Sequence, residues 1–195
     1  MYKRQVHAAG QVINFRTNGT IPIDRLCIAM NSLLPVSIAA LEAEEGPPDF
    51  HARYSARSRL YRYDILNRGI KSALQGRFAW HVISPLGVGA MNDAAQCLLG
   101  VHDFSSFACA DSDCESSIRE IIEISVCRNG EHVIIDLRAN AFLRSMVRVI
   151  VGTLVEIGLC LRQGSEMPGI LEAKDRRAAG KTAPPQGLCL MEVEY

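Results

Sequence analysis

No run of about 18 uninterrupted apolar residues occurs in this chain, so it offers no membrane-spanning helix. Its first residues are basic, yet no apolar h-region follows, and no signal peptide is read. A cytoplasmic protein without membrane contact is expected. None of the cysteines, Cys27, Cys97, Cys109, Cys114, Cys127, Cys160 and Cys189, forms a C-x-x-C pair. Their wide spacing and mostly apolar neighbours suggest buried, reduced thiols. Cys109 and Cys114 flank Asp111 and Asp113, but two thiols without a nearby histidine make a poor zinc site. Low-complexity stretches, tandem repeats and a G-x-S-x-G elbow are all missing. His102, Asp103, Ser105 and Ser106 lie too close in sequence for a hydrolytic triad. Net charge is absent as well, with 21 basic residues balancing 21 acidic ones.

What is present begins with a core. The hydrophobic fraction is 48%, and 195 residues suit one large domain or two small ones. The charge is unevenly spread. Between His51 and Arg77 lie Arg53, Arg57, Arg59, Arg62, Arg68, Lys71 and Arg77, against the single acid Asp64. A neutral chain with one concentrated basic segment still projects a strong local field.

The patterning predicts a first strand around Val12, Ile13 and Phe15, and a helix over 22–34 opened by Pro22 and stopped by Pro35. A short strand is expected over 37–43, with a turn and subdomain boundary at Gly46-Pro47-Pro48. Further strands are expected over 58–66, 118–128, 132–139 and 188–195, the middle two joined at Asn129-Gly130. Helices are expected over 91–99, over 140–157 with Asn140 as its cap, and over 170–175. This order suggests an α+β fold, with a largely antiparallel sheet and helices packed on one face.

Three stretches carry candidate chemistry. In RLYRYDIL, strand alternation places Tyr61, Tyr63 and Ile65 on one face and Leu60, Arg62, Asp64 and Leu66 on the other. Two tyrosines within an arginine-rich segment suit stacking on bases and pairing with phosphates. A tyrosine ladder packing a core, with arginines in solvent, would give the same pattern. In NAFLRSMVRVIVGTLVEIG the helical circumference is apolar except for a narrow strip of Ser145, Arg148, Gly152 and Glu156. An unpaired charge there costs several kcal/mol, so Arg148 calls for a carboxylate from another segment, unless it snorkels to water beside Gly152. Glu156, two turns along the same helix, is badly placed to serve. In GVHDFSSFAC, Phe104 and Phe107 are expected to anchor a loop to the core. His7 and His81 are lone histidines.

Together these segments resemble the tRNA pseudouridine synthase A family. RLYRYDILNRG looks like its tyrosine strand, GVHDFSSF like its H-D-F-[ST]-S-F loop, and NAFLRSMVRVIVGTLVEIG like its N-A-F-x-x-x-M-V-R-x-I-V-G helix. DRRAAGKTAPPQGLCLMEVEY carries T-A-P-x-x-G-L, and VHAAGQVINF resembles the stretch following the catalytic G-R-T-D-A-G-V-H-A motif. Anchored on Val6-His7-Ala8, that motif puts its nucleophilic Asp at position 3, where this chain has Lys3. Met1 to Gln5 mismatch the motif at every position. MYKRQ is what GTG TAT AAG AGA CAG would encode, a sequence resembling the end of a transposon adapter. Residues 1–5 are therefore expected to be a non-native scar on a truncated reading frame.

The resemblance implies the pseudouridine synthase fold: two ferredoxin-like halves, the N-terminal one incomplete over 6–50, the C-terminal one over 51–195. It implies isomerisation of uridine to pseudouridine in the tRNA anticodon arm, at positions 38 to 40, by a homodimer without metal or organic cofactor. It implies that Arg148 keeps the nucleophile ionised, that Tyr61 lies against the target base and assists proton removal, and that Arg53, Arg57 and Arg62 contact the RNA backbone. His7 and Gln11 would flank the missing motif. With Lys3 in place of Asp the chain as written is expected to be inactive. A catalytically dead tRNA-binding protein is the alternative, and a ferredoxin-like module binding protein or small molecules is a third class.

Overall fold

The computed structural model describes residues 6–109 and 116–195. Lys3 with the rest of MYKRQ, and Asp111, Asp113 and Cys114, lie outside the described residues. The chain divides into two units, Val12–Ser55 and a larger one that joins Ala56–Tyr195 to the stretch ending at Gln11.

Alternation builds the larger unit's sheet. Its strands are β1 (His7–Ala8), β2 (Ser58–Asn67), β3 (Trp80–Val82), β4 (Gly100–Asp103), β5 (Ile118–Asn129), β6 (His132–Ala139) and β7 (Leu188–Glu194). They run in the order β1-β7-β2-β6-β5-β4, with β3 beside the end of β2. The β2–β6, β2–β7, β4–β5 and β5–β6 pairings are antiparallel, and β1–β7 and β2–β3 are parallel. On the inner face Tyr61, Tyr63 and Ile65 stand opposite Leu137, Ile135 and Val133. These residues join the core with Met91, Ala94 and Ala95 of α2 (Val88–Gln96), most of α3 (Met146–Gly158), and Met167 and Ile170 of α4 (Met167–Ala173). Each fully buried large side chain contributes roughly 1.5–3 kcal/mol. The outer face carries charge instead: Arg62 faces Asp136, and Arg138 pairs with Glu192 and Glu123.

Hydrogen bonds to main-chain groups organise the smaller unit. Asn31, at the end of α1 (Ile23–Asn31), bonds both the amide and the carbonyl of Ala40, while Asn14 bonds the Phe50 carbonyl and the Ala52 amide. No residue of α1 is buried, and Ile13, Phe15, Ile28, Leu33 and Leu41 are exposed.

Several expectations need correction. Residues 12–15 and 37–43 alternate but find no strand partner, so neither forms a strand. The helix expected over 140–157 begins only at Met146. Asn140 uses its side-chain oxygen on the amides of Ala141 and Glu120, and Ser145 adopts φ 64°, which interrupts helical geometry just before α3. In the β5–β6 hairpin the turn falls one residue later, on Gly130 and Glu131, with Gly130 at φ 59°. Cys97, Cys127 and Cys160 are exposed rather than buried, because they lie at helix ends and on the open sheet face. Phe104 and Phe107 are fully buried and anchor their loop as expected.

Candidate active site

β2 carries the tyrosines on its inner face. Tyr61 is only 7% exposed and meets Phe142 edge-on, with ring centroids 5.2 Å apart. Tyr63, about 7 Å further along the strand, is fully buried and donates its hydroxyl to the Pro184 carbonyl at 2.6 Å. Burial pushes the Tyr63 phenol well above its ordinary value, with Arg148 pulling weakly the other way. Gly187 lies against this ring: a Cβ there would stand 2.7 Å from Tyr63 Cε1 and from the Asp64 carbonyl. The glycine of T-A-P-x-x-G-L thus permits the close approach of residues 183–187 to β2.

The polar strip of α3 has a structural use the sequence did not reveal: it is a track for residues 180–183. The Gly180 amide donates to Thr153 Oγ1, the Lys181 amide to Glu156 Oε1, and the Ala183 amide to the Arg148 carbonyl, each at 2.9 Å. Gly152 makes room, since a Cβ would stand 1.7 Å from the Lys181 carbonyl oxygen. Arg148 sits at the end of this track. Its Nε donates to the Ala183 carbonyl at 2.6 Å. Among the described residues no carboxylate lies within ion-pair distance of it. Burial holds its guanidinium below the ordinary arginine value, and Tyr63 offsets this only in part. The result is a half-buried cation with a neutral carbonyl for a partner, which favours ionisation of any carboxylate brought beside it.

The fold brings Arg148, Tyr63, Ala183 and Pro184 together, with Tyr61 on the same inner face of β2. The other candidates are placed differently. Arg62 points to the outer face and makes a two-pronged pair with Asp136, both bonds at 2.8 Å, which raises its pKa. Arg57 is exposed at the entry to β2. Arg53 belongs to the smaller unit, with its guanidinium 5.4 Å from the centre of the Tyr54 ring. His7 lies on β1 opposite Cys189, donates to the Arg77 carbonyl and packs against Phe78. Gln11 closes the β1 segment of the larger unit. Lys3 lies outside the described residues. The residues missed by sequence reasoning are Ala183 and Pro184, which act through main-chain oxygens and so leave no side-chain signal.

The family model described as tRNA pseudouridine synthase matches residues 94–195. A curated relative named tRNA pseudouridine synthase A from Moorella thermoacetica is 49% identical over 190 residues, covering 97% of this chain and 77% of that protein. A relative of the same name from Halalkalibacterium halodurans is 48% identical over 183 residues, 94% of this chain and 70% of that protein. One from Thermoanaerobacter sp. is 44% identical over 190 residues, 97% and 78%. With the tyrosine strand, the arginine helix and the track that joins them, these matches show that the chain belongs to the tRNA pseudouridine synthase family.

Proposed function

We propose that this scaffold isomerises uridine to pseudouridine in the tRNA anticodon arm, at positions 38 to 40, and that the chain as written lacks the nucleophile because Lys3 holds the position of the family's Asp. The reaction conserves atoms. The N1–C1′ glycosidic bond breaks, the uracil turns, a C5–C1′ bond forms, C5 loses a proton and N1 gains one. The family's Asp supplies the nucleophile. Arg148 keeps it ionised, and Tyr61 lies against the base and assists proton removal at C5. No metal or organic cofactor has a role in this scheme.

The observation that carries this reading is Arg148, a half-buried cation whose only hydrogen-bonded partner among the described residues is the Ala183 carbonyl. The position of β1 supports it: His7 pairs with Cys189 of β7, and β7 follows directly on the 183–187 segment whose Ala183 carbonyl Arg148 bonds. His7 and Gln11 then flank the nucleophile's loop, and Arg53, Arg57 and Arg62 serve the RNA backbone. In this reading Arg62 exchanges Asp136 for a phosphate. Residues 6–50 and 51–195 belong to two ferredoxin-like halves, and the protein works in the cytoplasm as a homodimer.

A second reading, a tRNA-binding protein without turnover, is favoured by Lys3 itself, since an ammonium cannot replace a carboxylate nucleophile. Site mapping on tRNA transcripts separates the two. With G-R-T-D-A-G-V-H-A in place, pseudouridine should form at positions 38 to 40, and replacing those uridines should abolish product. Product elsewhere refutes the anticodon-arm assignment. No product at any position, with tRNA still bound, favours the second reading.

A further inference from the structure

A recess of about 520 Å³ lies in the larger unit, lined by Ser105, Ser117, Lys174, Asp175, Arg176 and Arg177 among others. In a chain with no net charge, three cations within four positions set this wall apart. Their pairing leaves positive charge over. Arg177 is held by Asp175 and Lys174 lies 3.3 Å from Asp103, but among the described residues Arg176 donates only to the Ala179 carbonyl and Thr182 Oγ1. The wall is also pre-built. Ser106, fully buried, accepts the Asp175 amide, and Asp103 binds both the amide and the hydroxyl of Ser105. The H-D-F-S-S-F loop thereby fixes the basic turn, in which Lys174 adopts φ 49°.

The recess connects to the segment that leads into α3. The Cys109 amide on its wall donates to the Arg144 carbonyl at 3.0 Å. Arg144, four residues before Arg148, is exposed and its guanidinium has no partner among the described residues. Arginines beside the Ser117 hydroxyl match the oxygens of a phosphate diester, which they position without reading sequence.

We propose that Arg144, Lys174, Arg176, Arg177 and the Ser117 hydroxyl bind the sugar–phosphate backbone of the tRNA next to the target nucleotide. This rests on the synthase reading, because tRNA is the polyanion that must pass Arg148. The outward charges of Arg177 and Lys174 exchange their carboxylate partners for phosphate on binding.

The test is filter binding of an unmodified tRNA transcript to the whole chain across a salt series, for wild type, Arg144→Gln, Arg177→Gln and Asp175→Asn. Each lost contact lowers the slope of log affinity against log salt by about 0.7–0.9, which shrinks the affinity lost between about 50 and 200 mM by about threefold. Asp175→Asn releases Arg177 from its carboxylate and should tighten binding, a sign that misfolding cannot produce. Unchanged slopes in both arginine variants, with wild type binding steeply, overturn this site and leave the synthase reading standing. So does weaker binding by Asp175→Asn. A wild-type chain whose tRNA binding ignores salt overturns both.

Discussion

Arg148→Met tests the charge at the centre of the site. Methionine keeps the stem that packs beside α3 and removes the guanidinium. The variant loses one charge-assisted hydrogen bond, Nε to the Ala183 carbonyl, with a net worth of about 1.5–3 kcal/mol. It also relieves the cost of a partly desolvated cation without a carboxylate. For a fully buried unpaired charge that cost is about 3–5 kcal/mol, and partial exposure brings it to roughly half. The two effects nearly cancel, so the chain as written should change stability by no more than about 1 kcal/mol, or gain. For a protein of this size that is a melting shift of about 2–4 °C at most. Thermal melts of both proteins followed by circular dichroism read it directly. A loss of about 3 kcal/mol or more would mean that Arg148 holds the fold through its bond to the 183–184 segment, and the reasoning about an unmet carboxylate would be refuted. With the family's motif present, the same substitution should abolish turnover, because the nucleophile loses the charge that keeps it ionised.

Gly152→Ala drives a methyl into the Lys181 carbonyl oxygen and should cost about 3 kcal/mol or more, whereas Gly89→Ala in α2, with nothing within 4 Å, should gain about 0.5–1 kcal/mol; paired urea titrations compare them. With the motif present, Tyr61→Phe should impair turnover more than tRNA binding, since the ring still packs on Phe142; equal losses in both would make Tyr61 a docking residue. The Ser105 hydroxyl, with help from Lys174, holds the Asp103 carboxyl below its ordinary value. Its contribution to stability is therefore complete above the unfolded value near ~3.9 and is lost as pH falls below it through the folded value. The melting-temperature gap between wild type and Asp103→Asn should accordingly narrow in acid, and a gap independent of pH contradicts that assignment.

Long alternating runs made β2, β5, β6 and β7 legible in the sequence, because one buried face imposes period two over many residues. β3 and β4, of three and four residues, are too short to show a period. The alternation at Val12, Ile13 and Phe15 misled because a strand needs a neighbour as well as a pattern. The start of α3 was hidden by Asn140, which resembles a cap but spends its oxygen across the sheet on Glu120. At the site, the apolar circumference of α3 drew notice to Arg148 and led to the expectation of a carboxylate partner, whereas the partner among the described residues is the Ala183 carbonyl. The use of Gly152, Thr153 and Glu156 as a docking track could not be read, since what they hold is main chain. Likewise alternation told which face of β2 carries Arg62, but not that Asp136 stands opposite.

The central claim is that this is a uridine-isomerising scaffold whose activity turns on the residue at position 3. Its most direct test is tritium release from tRNA labelled at uridine C5, because forming the C5–C1′ bond must expel that hydrogen. Two proteins are compared: the chain as written, and the same chain from Val6 onward preceded by the N-terminal segment of a family member that carries G-R-T-D-A-G. The account predicts no release above background from the first and sustained release from the second. Release by the chain that carries Lys3, or none from the one that carries the Asp, would contradict it.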